Sequence, residues 1–120
     1  PVAICMTYDS FEEAVDLARN NLLYQGAGHS AVIHTDDEKK AEYCGIELPV
    51  SRMIVNQPGI FAANPALANG FRPTSTLGCG SWGNNSISEN LNFEHLINIS
   101  RIGWMKDESE IPTSEQIWGS

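Results

Sequence analysis

Leu77-Gly78-Cys79-Gly80-Ser81-Trp82-Gly83-Asn84-Asn85-Ser86-Ile87-Ser88-Glu89-Asn90, followed by Glu94-His95-Leu96-Ile97-Asn98-Ile99, is the stretch on which the fold assignment turns. It is a run of Gly, Asn and Ser with one Cys and one Trp, and it has no core-like periodicity. A chain keeps such a run in order where a site or an interface requires its backbone shape.

The chain before this run alternates strands and helices. Val2 to Tyr8 reads as a largely buried strand. Ser10 is placed to cap a helix, with Glu13 three residues on as in a capping box. Phe11, Ala14, Val15, Ala18 and Leu22 keep helical spacing to about Leu23, and Gln25-Gly26-Ala27-Gly28 permits the turn. Ser30 to His34 is a second strand. Thr35 is the expected cap of a second helix reaching Cys44 or Gly45, with acids in its first turn. Pro49 breaks the chain, and Ser51 to Val55 is a third strand. The order β-α-β-α-β argues for an α/β fold with a parallel sheet. Three strands leave apolar faces that further chain must cover.

Asn56 to Gly83 reads as a long loop. Its Ile60, Phe61, Leu67, Phe71, Leu77 and Trp82 are too apolar for disorder, so an ordered loop over a site is expected. A short helix is expected within Asn92 to Asn98, a strand from Ile97 to Trp104, and a capped turn after Pro112 at Thr113 to Trp118.

Composition narrows the function classes. Apolar residues are 42% and charged residues 18%, ordinary for a globular protein. The net charge of −8 offers no basic face for nucleic acid or an anionic membrane. No apolar run reaches the roughly 20 residues of a membrane span, and the opening Pro1-Val2-Ala3-Ile4-Cys5-Met6 reads as a short strand-like run rather than a signal peptide. The first residue is Pro1 rather than Met, which fits a chain cut or processed upstream. Cys5, Cys44 and Cys79 are odd in number and widely spaced, so no disulfide framework or zinc site is expected, and a reducing, cytoplasmic setting is the simpler reading.

The run from Leu77 to Asn90 resembles the C-terminal signature of the CoA-acylating aldehyde dehydrogenases. Pro1-Val2 with Ser10-Phe11-Glu12-Glu13-Ala14 is similar to the segment after that family's catalytic-domain glutamate. Gly26-Ala27-Gly28-His29-Ser30 resembles its glycine-rich stretch with a histidine, and Arg52-Met53-Ile54-Val55-Asn56-Gln57-Pro58 resembles the strand entering the substrate-pocket loop. The closing Ile99 to Gly103, with Pro112 and Ile117-Trp118-Gly119, is most similar to the branch acting on succinate semialdehyde or sulfoacetaldehyde. The resemblance implies a C-terminal part of the catalytic domain, divided as 1–56 (β-α-β-α-β), 57–92 (substrate-pocket loop) and 93–120 (oligomerisation segment). It implies NAD or NADP with coenzyme A as co-substrate, a small aldehyde, a homo-oligomer and a cytoplasmic or microcompartment location. It also implies a nucleophilic cysteine and a dinucleotide domain upstream, so these 120 residues alone should be inactive. The competing reading is a free-standing, non-catalytic interaction domain; acylating acetaldehyde and sulfoacetaldehyde enzymes are the neighbouring alternatives.

Cys79, flanked by glycines, has the look of a nucleophile, but the resemblance puts it in a structural loop downstream of the reactive cysteine. Cys5 and Cys44 read as buried packing residues. His29, at a glycine turn before a strand, is either a turn histidine or an auxiliary catalytic group that orients a thioester or deprotonates coenzyme A. Asn56, Ile60 and Phe61 match positions lining the aldehyde channel. Arg72 and Arg52 are the cations best placed to meet a substrate carboxylate. His34 reads as a surface residue, His95 as packed at a subunit contact, and Trp104, Met105 and Trp118 as interface residues. Gly26-Ala27-Gly28 is too short for a dinucleotide fingerprint.

Overall fold

The computed structural model describes residues 2–63 and 68–119; Pro1 and Leu67, both named above, lie outside them. Helix α1 spans Phe11–Tyr24. It starts where the sequence predicts, because Ser10 Oγ accepts from Glu13 N at 3.1 Å. The Glu13 carboxylate accepts from Asp9 N at 2.7 Å, one residue ahead of the cap. Strand β1 is Gly28–Ile33, helix α2 is Glu38–Glu47 and strand β2 is Val50–Val55. The strands pair in parallel, with Ser30 opposite Arg52 and Val32 opposite Ile54, and α2 is their crossover.

Helix α2 is capped by Asp37 rather than Thr35. The Asp37 carboxylate reaches Lys39 N at 3.0 Å, while Thr35 Oγ1 accepts from Asp37 N at 3.1 Å and so shapes the turn before the cap. The small core lies between the helices and the strand pair. Val15, Cys44, Leu48 and Val50 are buried there, with Phe11, Ala18 and Leu22 of the α1 stripe against them. Arg19 joins the helices through Glu47, donating to its main-chain oxygen at 3.0 Å and pairing with its carboxylate. A hollow of about 580 Å³ remains beside this core, lined by Phe11, Ala14, Val32, Cys44 and Met53 among others.

Two expected strands are absent. Val2 to Tyr8 forms no strand, and Val2, Ile4 and Cys5 are exposed rather than buried. Ile97 to Trp104 forms none either, with Ile102 and Trp104 more than four-fifths exposed. A strand requires a neighbour to take its ladder bonds, and among the described residues the sheet is β1 and β2 alone. The Cα radius of gyration is 19.7 Å. A compact domain of this length would have roughly 14 Å, so the two ends extend as arms. The later expectations hold better. Phe93–Leu96 is a 3₁₀ turn capped by Asn92, and helix α3, Ser114–Trp118, is capped by Thr113 and Gln116.

The glycine-rich run folds as an irregular hairpin. Leu77 bridges Asn90, Gly78 N donates to Glu89 O at 3.0 Å, and Gly80 N donates to Ile87 O at 2.8 Å. Its tip holds Asn84 at φ 57°, and Asn85 Oδ1 accepts from Cys79 N at 2.9 Å. The hairpin lies against the start of β1. A Cβ on Gly28, which has φ +87°, would fall 2.3 Å from Cys79 O and 2.8 Å from Cys79 Cβ.

Gly28→Ala is therefore expected to lower stability by at least ~2 kcal/mol, through backbone strain and collision. Gly45→Ala, within α2 and with nothing inside 4 Å of its new Cβ, should raise it by ~0.5–1 kcal/mol. Denaturant midpoints of both variants decide this, and equal effects would refute the close approach. Burial pushes the Cys44 thiol above its ordinary pKa. The folded state then keeps a proton that the unfolded chain releases, so stability falls as pH rises past the ordinary thiol value. Thermal melts from neutral pH to about pH 10 should show a shallower alkaline decline for Cys44→Ala than for the unaltered chain. Parallel declines would exclude this contribution.

Candidate functional site

The centre of the site is Arg52, which sequence reasoning offered as a substrate-facing cation. Its side chain is buried, at 3% exposure. Nη1 donates to Gly78 O at 2.7 Å, and Nη2 donates to His29 O at 3.0 Å and Gly28 O at 3.3 Å. Cys79 Sγ lies 3.9 Å from Nη2. One planar fork thus ties the start of β1 to the first strand of the hairpin. No carboxylate pairs with it among the described residues.

Asn90, also buried, extends the junction. Its Oδ1 accepts from Arg52 Nη1 at 3.4 Å, and its Nδ2 donates to Ala62 O at 2.7 Å and Arg72 O at 2.6 Å. Ala62 closes the 3₁₀ turn Gly59–Ala62 that carries Ile60 and Phe61. The main chains of the His29, Phe61 and Arg72 segments therefore converge on the Arg52–Asn90 pair. Neither member stood out as a hub in the sequence. The available signal was an arginine inside the otherwise largely apolar strand Val50–Val55 and an asparagine closing a glycine-rich run.

The His29 ring is exposed, with Nδ1 2.7 Å from Ser30 Oγ. Ile60 is 62% exposed and Phe61 half-buried. Arg72 pairs with the Glu94 carboxylate on a half-exposed surface. Beside it a hollow of about 300 Å³ is lined by Ser51, Arg52, Phe71, Arg72 and Asn90 among others. Ser51 Oγ and Arg52 Nε are buried there without a hydrogen-bond partner among the described residues.

Asn56 stands apart from His29. It follows β2, five residues beyond the row that faces His29, or roughly 16 Å at strand rise. It has φ 55°, and its amide is engaged with Thr35: Oδ1 accepts from Thr35 N at 2.8 Å and Nδ2 donates to Thr35 O at 2.7 Å. Its geometry is that of a latch at the carboxyl end of the strand pair. His95 also has a local role, its Nδ1 accepting from Asn92 N at 3.2 Å while Nε2 lies 3.3 Å from Glu89.

These residues do not fit a dinucleotide. The glycines at 26 and 28 lead into a strand, not a helix. The helix that follows β1 opens with Asp37 and Glu38, which would repel a pyrophosphate. Among the described residues no cluster of His, Cys, Asp and Glu could hold a metal, and no helix is long and apolar enough to cross a membrane.

No family model matches the chain. It is 56% identical over 119 residues to a succinate-semialdehyde dehydrogenase (acetylating) of Clostridium kluyveri, covering 99% of this chain and 26% of that protein. It is 37% identical to a sulfoacetaldehyde dehydrogenase of an Acholeplasma species, covering 99% of this chain and 24% of the relative. The chain thus spans about a quarter of the length of these curated relatives. The crystal structure of an acetylating aldehyde dehydrogenase from Geobacillus thermoglucosidasius superposes with a TM-score of 0.72 at 39% identity, over 87% of this chain and 22% of that one. Over nearly all its length, this chain is homologous to, and carries the fold of, one portion of the acylating aldehyde dehydrogenases.

Proposed function

We propose that this chain is the C-terminal part of the catalytic domain of a cytoplasmic, NAD(P)-dependent, CoA-acylating aldehyde dehydrogenase that converts succinate semialdehyde to its CoA thioester. The observation that carries the reading is the 56% identity to the Clostridium kluyveri enzyme across 119 residues. The expanded shape speaks against a free-standing domain. Ile102, Trp104, Met105 and Trp118 are all more than 80% exposed, an apolar arm suited to a subunit contact.

In the reaction an aldehyde, coenzyme A and NAD(P)+ give acyl-CoA, NAD(P)H and a proton. The attacking cysteine and the dinucleotide site belong to chain upstream of these residues. What this chain supplies is wall and auxiliary groups. The exposed His29 ring can take the proton of the coenzyme A thiol or hold the thioester. Ile60 and Phe61 give an apolar wall for the substrate chain, and Asn56 latches the mouth of their loop. Arg72 can meet the substrate carboxylate by exchanging Glu94 for it. A half-exposed ion pair contributes at most ~1 kcal/mol, so the exchange costs little.

The test is NAD(P)H formation by the full-length gene product with coenzyme A and succinate semialdehyde, sulfoacetaldehyde or acetaldehyde. Preference for succinate semialdehyde is expected. Preference for sulfoacetaldehyde or acetaldehyde would reassign the substrate, and no turnover of any would refute the reading. Arg72→Ala should raise KM for succinate semialdehyde by ~10-fold, the loss of one ~1.4 kcal/mol contact, and leave KM for acetaldehyde unchanged. Equal effects on both aldehydes would remove Arg72 from the substrate site.

A further inference from the structure

We infer that Arg52 is a positioning residue for the acylating reaction: its buried guanidinium locks the Gly28–His29 main chain against Gly78–Cys79 and so places the His29 ring. The inference rests on the proposed function and on the auxiliary role of His29 within it.

Burying an arginine with no acid partner among the described residues is an expensive way to hold two segments together, and a well-packed apolar residue of similar volume would serve stability as well or better. The guanidinium offers direction instead. Nη1 and Nη2 diverge from one rigid plane, and their acceptors, Gly78 O on one side and His29 O and Gly28 O on the other, belong to separate segments. The distance between those segments is thereby set by the width of the fork. It matches the close approach of Gly28 to Cys79, where a single added Cβ would collide. The His29 ring has little else to restrain it. It is exposed, and the side-chain hydrogen bond it makes among the described residues is to Ser30 Oγ, on the next residue of the same strand. The ring therefore goes where the β1 main chain goes; the ladder to β2 holds that main chain along one edge, and the Arg52 fork fixes it against Gly78 on the other side. Asn90 makes the arrangement stiffer, since the amide that accepts from Arg52 also ties down Ala62 and Arg72.

The test is a double-mutant cycle in the full-length enzyme, combining Arg52→Lys with His29→Ala. Lysine keeps the charge and can still donate, so the variant is expected to fold, but it lacks the fork. Arg52→Lys should lower kcat by ~10- to 100-fold, the scale of a misplacement near 1 Å, with KM for the aldehyde within about threefold. In the His29→Ala background the same substitution should cost less than about threefold, because the group it positions is gone. Equal losses in both backgrounds, or an unchanged kcat, would overturn the inference and leave the family reaction standing. An Arg52→Lys enzyme that cannot be recovered folded would also overturn it, since the residue would then be required for folding. Full activity of His29→Ala would remove both the auxiliary role of His29 and this inference. An inactive unaltered enzyme would remove the reaction on which both rest.

Discussion

A buried guanidinium hydrogen-bonded to main-chain carbonyls holds this structure together. Arg52 sits at 3% exposure in the middle of β2, where alternation would otherwise call for an apolar side chain. Among the described residues its charge is balanced by carbonyl dipoles and the Asn90 amide oxygen rather than by a carboxylate. Such a group is strongly dependent on its surroundings. Taking away the acceptors leaves a desolvated cation, and taking away the cation leaves buried carbonyls without donors. The glycine hairpin, the start of β1 and the Phe61 turn can therefore be ordered only together.

That dependence explains why the rest of the chain is thinly packed. Among the described residues six apolar side chains are buried, four of them clustered between the helices and the strand pair, and both ends reach away with large apolar side chains in solvent. Two parallel strands cannot cover themselves on both faces, and a parallel pair ordinarily lies inside a larger sheet. The open hollow beside α1 and α2 and the exposed Val2 and Ile4 are what such a portion presents when described by itself.

Local chemistry was legible in the sequence and long-range chemistry was not. The Ser10 cap and the capped turn at Thr113 depend on residues within one helical turn of one another, the α1 stripe and the α2 crossover on the pattern of neighbouring segments, and each formed close to the expected position. Thr35 and Asp37 were confused because both can cap, and only the path of the turn decides between them. Val2 to Tyr8 and Ile97 to Trp104 have strand composition, but pairing is a property of a neighbour and not of a segment. Arg52 was noticed for its charge, whereas its role comes from carbonyls 23 to 26 positions away. Asn90 escaped attention because closing the glycine-rich run is a slight mark beside Asn84 and Asn85, and its bonds to Ala62 and Arg72 lie far along the chain.

The same distinction bears on Cys79. A cysteine between glycines invites a reading as a nucleophile, and the nearby guanidinium strengthens that impression. The geometry assigns the surrounding glycines a different purpose. A Cβ on Gly83 would lie 2.5 Å from Cys79 Cβ, one on Gly28 would lie 2.3 Å from Cys79 O, and one on Gly78 would lie 2.6 Å from Ile87 O. These glycines are not arranged to expose a thiol or to cradle a phosphate. They let the hairpin and β1 approach until one guanidinium can reach both. Gly28, Gly78, Cys79 and Gly83 thus satisfy a single steric condition, and Arg52 requires it. A larger residue at Gly28 or Gly83 would collide with Cys79 directly, and one at Gly78 with the Ile87 and Glu89 main chain, so each would force apart the segments that the fork joins.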